Sequence, residues 1–434
     1  MSRTLEQWLS WQSQLHPAEI ELGLDRLRLV WSRLTSSSFD CPVITVAGSN
    51  GKGSTVALLE SILTAAGYRC GCYTSPHILR YNERVCINQA AVSDDQLCSA
   101  FEQVEQARAD ITLTYFEFGT LAALWLFQQQ PLDAVILEVG LGGRLDAVNI
   151  IDADVAVLTS LSLEHCDWLG DSLEQIGFEK AGIFRAGRPA VCGIRQPPDS
   201  VVRAAEETGA RLLCLARDFD YRLMPDHRSA QGLDLCAEQL PDHWHWQGNQ
   251  SQRNGLPLPA LRGEVQVQNA ALALAALEQL DARIPVDQQS VRNGLLGVQL
   301  AGRFQLIPGE TGIILDVAHN PESVTVLMEN LRTHPVPGRT RLVFSLLSDK
   351  DVSVMVKLMV DRVDDWYIAS LDVARAMPCS RLYDELKKAG ASHITTAESV
   401  TLACRIARAE AQSGDRIVVC GSFYTVADAW AACV

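Results

Sequence analysis

The stretch Ile44-Thr45-Val46-Ala47-Gly48-Ser49-Asn50-Gly51-Lys52-Gly53-Ser54-Thr55 decides more than any other part of this sequence. A short β-branched apolar run meets a glycine-rich turn carrying one lysine. Val56, Leu59, Ile62, Leu63 and Ala66 then recur at helical spacing. Strand, glycine loop and helix in that order can cradle phosphate. Glycines let backbone N–H groups converge on an anion, and the helix N-terminus adds partial positive charge. Lys52 can reach the outer phosphates. The general pattern G-x-x-x-x-G-K-[ST] asks for Gly at 46 and Ser or Thr at 53. This chain has Val46 and Gly53, with Ser54 one place late. Taken alone, the same residues also describe an ordinary turn between a strand and a helix.

At 434 residues the chain exceeds one core, so two domains are expected. A composition 47% hydrophobic and 21% charged is that of a soluble globular protein. A formal charge of −15 argues against a nucleic-acid surface, which needs a basic face, and leaves room for a locally positive pocket. The 13 cysteines are scattered, with Cys70 and Cys72 the nearest pair and no C-x-x-C. Cys192 and Cys420 sit in apolar runs, where free cysteine acts as a small hydrophobe. Neither a disulfide framework nor a zinc site is expected, and a reducing cytoplasm fits. The first residues, with Glu6, Trp8 and Gln12, lack the layout of a signal peptide, and no apolar run is of membrane-spanning length.

Residues 4–34 read as helix, interrupted from His16 to Gly23. Cys70 to Tyr73 reads as a short strand, and 93–109 and 117–129 as helices. Ala134 to Val139 and Val155 to Ser160 read as buried strands of a parallel sheet. This alternation predicts an α/β fold: a parallel-sheet domain carrying the P-loop over residues 1–297. Within it, 217–262 reads as an irregular β-insertion. Its His243-Trp244-His245-Trp246 could present a metal-binding pair, although alternation along a strand explains it better. After a junction near 298, apolar runs at 312–316, 341–345, 366–370 and 416–420 alternate with helical stretches. They predict a smaller α/β, Rossmann-like domain over 298–434.

A few residues are too costly to bury without a purpose. Glu138 ends the apolar run Val-Ile-Leu-Glu-Val, where an unpaired carboxylate costs several kcal/mol. It must be protonated, paired (Arg144 is within range) or bound to a cation beside phosphates at the strand's C-terminal end. Asp316, in Ile-Ile-Leu-Asp-Val-Ala-His319-Asn-Pro, poses the same problem in the second domain. His165 follows the run at 155–160 and would face the same sheet edge, as a ligand or as a structural hydrogen-bonder. Lys180 lies between apolar residues; it is either a buried amine of depressed pKa or a snorkelling surface lysine.

Gly-Ser-Asn-Gly-Lys-Gly-Ser, Tyr-Thr-Ser-Pro-His77, Arg80-Tyr-Asn-Glu-Arg84, Leu-Glu-Val-Gly-Leu-Gly-Gly-Arg-Leu-Asp146, Glu-Lys-Ala-Gly-Ile-Phe, Gly302-Arg303-Phe304 and Asp-Val-Ala-His-Asn-Pro occur in this order. Together they closely resemble the folylpolyglutamate synthetase/dihydrofolate synthase family, within the Mur-ligase superfamily, nearly end to end. The resemblance implies an ATP-dependent amide ligase: a folate-type carboxylate becomes an acyl phosphate, which the amine of glutamate attacks. It implies that the P-loop domain over 1–297 is an ATPase domain in which Ser49, Asn50, Gly51, Lys52, Gly53 and Ser54 hold the phosphates. Ser75, Glu138 and His165 become magnesium ligands. Lys180 matches a lysine that the family carbamylates to help organise a second metal. Asn269, Arg303, Asp316 and His319 match ATP-contacting positions. ATP, magnesium at two sites and potassium are the implied cofactors, and dihydropteroate, reduced folates and L-glutamate the substrates of a cytoplasmic monomer. Glu19, Ile20, Glu21 and Leu22, with Arg84, Thr114, Tyr115, Phe116 and Asp146, match substrate-binding positions of bifunctional members. Tyr115 and Phe116 suit stacking on a flat pterin, and by spacing alone they equally suit a helix core.

The sequence departs from the family pattern at Ser49 (for Thr), Val148 (for Thr) and Ser348 (for His). Ser49 keeps the hydroxyl, Val148 loses one hydroxyl contact, and Ser348 removes whatever role the family's histidine has there. Three alternatives remain open to such a chain: a monofunctional folylpolyglutamate synthase, a peptidoglycan ligase of the Mur type and a nucleotide-binding regulator without ligase activity. The 47 residues before Gly48 are few for the extra domain of the second, and Lys52, Glu138, His165 and Lys180 together argue against the third.

Overall fold

The computed structural model describes residues 3–35, 37–225, 241–309 and 311–433. They form two compact units: Met1–Ala260 with Gln266–Val298, and Leu261–Val265 with Gln299–Val434.

The first unit is built on an eight-stranded sheet. Its strands in chain order are β1 (Val43–Ala47), β2 (Cys70–Tyr73), β3 (Val85–Ile87), β4 (Ala90–Ala91), β5 (Ala134–Glu138), β6 (Val155–Leu158), β7 (Pro189–Cys192) and β8 (Arg211–Cys214). Their spatial order is β4-β3-β2-β5-β1-β6-β7-β8. All pairings are parallel except those of β3 and β4, which form an antiparallel edge hairpin. Every residue of β1, β5 and β6 is buried, which explains their unbroken apolar runs: a parallel sheet covered on both faces has no solvent side.

Helices α1 (Leu5–Gln12), α2 (Asp25–Leu34), α3 (Lys52–Ala65), α4 (Asp94–Arg108) and α5 (Tyr115–Gln128) follow the predicted spacing. Alternate strand residues Val43, Ala47, Val135, Leu137, Ala156 and Leu158 share one core cluster with Leu27, Val30, Phe101, Phe118 and Leu121. The side chains of α3 bury against strands and against the helix Gln288–Gly297, where Gly294 lies so near Ile62 that a Cβ would be 2.5 Å from its Cα. Helix α5 starts at Tyr115, two residues before the predicted 117. The reason is a capping box: Thr114 Oγ1 accepts from the Glu117 amide at 3.3 Å, and Glu117 Oε2 accepts from the Thr114 amide at 2.8 Å.

The insertion predicted over 217–262 is an antiparallel sheet of β9 (Asp220–Pro225), β10 (Pro241–Gln247) and β11 (Gln252–Pro257), with 226–240 outside the described residues. Trp244 and Trp246 are fully buried on one face of β10. His243 and His245 take the other, bonded to Asp242 and, at 2.7 Å, to Asn254.

The second unit holds a six-stranded sheet of β12 (Gln305–Ile307), β13 (Gly312–Leu315), β14 (Thr340–Phe344), β15 (Asp365–Ile368), β16 (His393–Thr396) and β17 (Arg416–Cys420). The order is β12-β13-β17-β14-β15-β16, parallel except for β12. Phe304, Leu342, Phe344, Trp366 and Val418 centre its core.

Candidate active site

Strand order places the chemistry of the first unit. The glycine loop leaves the C-terminal end of β1. Its neighbours β5 and β6 end in Glu138 and in the segment running to His165, and β2, beyond β5, leads to Ser75. Because β2, β5, β1 and β6 are parallel, all four sites emerge on one edge. The chain leaves β1 towards β2 on one side and later adds β6, β7 and β8 on the other. This is the switch point where open α/β sheets take ligands.

The loop is held against the end of β6. Ser49 N donates to Ser160 O at 2.9 Å, Asn50 N to Ser160 Oγ at 3.0 Å, and Thr159 Oγ1 to Asn50 O at 2.7 Å. Ser162 N donates to Ser49 Oγ at 2.9 Å, so the hydroxyl retained by Ser49 anchors the loop. Gly51 has φ +87° and caps α3; a Cβ there would lie 2.6 Å from Asn269 Oδ1. Asn269, itself bonded to Gln266 at 3.0 Å, therefore sits directly against the loop. Ser54 is buried in the first turn of α3, and Gly53 offers no side chain.

Glu138 is buried, and Ser75 N donates to its Oε2 at 3.2 Å, which joins two of the three predicted metal ligands. The alternative partner, Arg144, pairs instead with Glu179 at 2.8 Å. His165 stands exposed in a left-handed conformation (φ 50°) at the start of the short helix Cys166–Leu169. Among the described residues, no three His, Cys, Asp or Glu side chains form a ready-made metal cluster. One carboxylate, one imidazole and one hydroxyl fit a hard cation that takes its remaining ligands from phosphate and water.

Two lysines meet at Gly48. Lys52 Nζ donates to the carbonyl oxygens of Gly48 and Ser49 at 2.8 and 3.1 Å, and Lys180 Nζ to that of Gly48 at 3.2 Å. Lys180 is buried, which settles the choice against a snorkelling lysine, and its Nζ lies 3.1 Å from Glu164 Oε1. Burial pushes the Lys180 ammonium down to about 8 against the pull of Glu164. For Glu164, burial acts to raise the pKa, but the Lys52 and Lys180 charges outweigh it and hold the carboxyl down at about 2. Sequence reasoning missed Glu164. Its one signal is its place immediately before His165, which no periodicity marks.

The predicted substrate positions gather around α5 and the loop after β5. Phe116 packs on Tyr73 (ring centroids 5.8 Å) and on Gly140, where a Cβ would be 2.6 Å from its ring. Tyr115 and Phe116 are half-buried, and the Arg84 guanidinium lies 5.3 and 5.7 Å from the ring centroids of Tyr81 and Tyr115. Arg84 Nε also donates to His77 Nδ1 at 2.8 Å; burial and Arg84 push His77 down to about 4. Asp146 is buried and accepts from the amides of Leu141 and Val148 at 2.8 and 3.0 Å. Burial raises it to about 6 in spite of those bonds. Glu19, Ile20, Glu21 and Leu22 lie in the segment between α1 and α2, outside any helix or strand.

The second unit groups its own predicted residues. Asp316 follows β13 and accepts from the amides of Phe304 and Ala318, both at 2.8 Å; burial raises its pKa, which Arg303 opposes. Arg303 lies over the Phe423 ring at 5.2 Å, and His319 meets the same ring at 6.3 Å.

Two family models match the chain: the Mur ligase middle domain over residues 46–277, and the Mur ligase, glutamate ligase domain over 302–423. A phosphate loop on the first module and a glutamate-ligase module after it define a Mur-type ligase. The dihydrofolate synthase/folylpolyglutamate synthase of Escherichia coli (strain K12) is 43% identical over 424 residues, spanning 98% of this chain and 94% of that protein. E. coli FolC solved in complex with DHPP and ADP superposes with a TM-score of 0.89 at 42% identity, over 98% of this chain and 96% of that one. A bifunctional folylpolyglutamate synthase/dihydrofolate synthase solved with Mn, AMPPNP and L-glutamate gives 0.88 at 42% identity, over 99% and 98%. The chain belongs to the dihydrofolate synthase/folylpolyglutamate synthase family.

Proposed function

We propose that this chain is an ATP-dependent ligase that joins L-glutamate to dihydropteroate, giving dihydrofolate, and to tetrahydrofolate and its polyglutamyl forms. The observation that carries the reading is the meeting of the glycine loop, Ser75, Glu138 and His165 on one edge of the sheet, in a chain 43% identical to a relative bearing both activities in its name.

Attack of one anion on another needs charge cancelled and geometry held, and little covalent help from the protein. Ser49, Asn50, Gly51, Lys52, Gly53 and Ser54 bind the nucleotide phosphates, and Asn269 fixes the loop's shape; Arg303, Asp316 and His319 of the second module serve nucleotide binding by their match to ATP-contacting positions of the family. Ser75, Glu138 and His165 hold magnesium, which supplies the positive charge that lets phosphate and carboxylate approach. Neutral Lys180 takes up carbon dioxide as a carbamate, forming an N–C bond and releasing a proton. Its new carboxylate would help hold a second magnesium ion, with potassium as a further cation. The substrate carboxylate becomes an acyl phosphate, and the amine of glutamate displaces phosphate to leave an amide. Asp146, Arg84, Thr114, Tyr115 and Phe116 orient the pterin.

The division of labour follows the modules, 1–297 for ATP and pterin and 298–434 for glutamate ligation. A cytoplasmic location is supported by the enzyme's scattered free cysteines, and a monomeric state rests on the family resemblance alone. No helix among the described residues is long and apolar enough to cross a membrane.

The test is ADP release with magnesium and ATP. Release that requires both glutamate and either dihydropteroate or tetrahydrofolate is expected. ATP turnover indifferent to both substrates would refute the ligase reading, and activity with tetrahydrofolate alone would reduce it to the monofunctional enzyme.

A further inference from the structure

Arg26, at the start of α2, takes no part in the chemistry above, yet its guanidinium bonds to two separate acidic residues. Its Nε donates to Glu117 Oε1 and Oε2 at 2.9 and 3.1 Å, and its Nη2 lies 2.7 Å from Glu117 Oε1. The same guanidinium turns its other edge to Glu21, with Nη2 donating to the Glu21 carbonyl at 2.8 Å and Nη1 paired with Glu21 Oε1. Glu21 Oε2 in turn meets His16 Nε2 at 3.0 Å.

These bonds join two places of very different character. Glu117 is buried with a side-chain exposure of 5% and caps the helix that presents Thr114, Tyr115 and Phe116. Glu21 lies in the segment between α1 and α2, which has no helix or strand of its own. A segment without backbone ladders takes its shape from side-chain anchors. A planar guanidinium with five donors in a fixed fork can grip one carboxylate bidentately while its remaining N–H groups reach a second residue, a geometry that the single nitrogen of an ammonium does not reproduce. Burial works to lower the pKa of Arg26, but Glu117 and Glu21 outweigh it, so the clamp stays charged.

We propose that Arg26 is a positioning residue that sets one wall of the pterin site by fastening the Glu19–Leu22 segment, through Glu21, to the N-terminus of α5, through Glu117. The proposal rests on the dihydropteroate reading of those two segments. It gives Glu21 a role in shaping the segment and leaves the contact with substrate to its neighbours.

Replacing Arg26 alone would strand the buried Glu117 carboxylate, so the test uses Arg26→Ala combined with Glu117→Gln, alongside Arg26→Lys, with folding followed by thermal unfolding. Displacing one wall by about an ångström should raise the KM for dihydropteroate roughly 10- to 100-fold in the double variant. The KM values for ATP and glutamate should stay within about twofold, the pattern of a lost binding contact confined to one substrate. Arg26→Lys, which keeps the charge but loses the bidentate fork on Glu117 and the fixed angle towards Glu21, should fall between. An unchanged dihydropteroate KM in a folded double variant of an active enzyme would overturn the proposal, as would KM values for all three substrates rising in step. A wild-type chain that forms no ADP with dihydropteroate would overturn the substrate reading itself, and the proposal with it.

Discussion

Lys180 Nζ and Glu164 Oε1 lie 3.1 Å apart, with side-chain exposures of 3% and 11%, beside the carbonyl oxygen of the first loop glycine. A buried ion pair is weak as a source of stability, because desolvation consumes much of its Coulomb gain. Here it stores the lysine, with its pKa lowered to about 8, next to the proposed phosphate site.

Lys180→Ala should therefore lose activity while remaining folded, by about 100-fold or more if its carbamate serves a metal. Short carboxylates such as acetate should restore part of the rate. In the wild-type enzyme, activation by bicarbonate should strengthen as pH rises towards about 8, because deprotonation exposes the reactive amine. An alanine variant with normal turnover would rule the carbamate out.

Glu138→Gln keeps the side chain's volume and removes its charge. Loss of one proposed metal ligand should lower kcat by roughly 10²- to 10³-fold, since metal charge stabilisation is worth several kcal/mol. The thermal unfolding midpoint should not fall, because a buried carboxylate is costly and a neutral amide less so. Unchanged turnover at saturating magnesium would contradict the assignment.

Asp146, raised to about 6 by burial, accepts hydrogen bonds when ionised and becomes a donor when protonated. A pterin N–H needs an acceptor, so the KM for dihydropteroate should climb as pH falls through about 6, and Asp146→Asn should flatten that profile. For stability the sign is opposite. A raised folded-state pKa makes its contribution fully present below the ordinary 3.8 and lost as pH rises through about 6. A profile in Asp146→Asn that matches the wild type would remove Asp146 from the site.

Gly48 has φ +146°, and a Cβ there would fall 1.9 Å from Thr159 Oγ1, the hydroxyl that pins Asn50. Gly48→Ala should cost about 1–3 kcal/mol of stability in urea unfolding, through strain and overpacking. It should also weaken ATP binding, because the loop can relieve the contact only by leaving β6. A variant with wild-type affinity for ATP would show that the loop tolerates displacement.

Much of the architecture could be read from the chain. Val135 to Leu137 and Val155 to Leu158 are apolar without alternation, as strands buried on both faces must be. Trp244 and Trp246 alternate with histidines, as a one-sided strand requires. Helix α5 began earlier than its apolar spacing indicated because Thr114 and Glu117 cap it, a local bond that periodicity does not report.

The sequence by itself determined the glycine loop, the costly acids at the strand ends and the family they belong to, because these are matters of residue type and local order. Only the tertiary structure decided which of them meet. Ser75, Glu138, the loop and His165 come from distant parts of the chain and share an edge because β2, β5, β1 and β6 are neighbours in the sheet. The partnerships of Lys180 with Glu164 and of Arg26 with Glu117 were invisible for the same reason. Apolar spacing tells which side of an element is buried, whereas a charge finds its partner only when packing brings another chain segment within about 4 Å, where the interaction outweighs solvent.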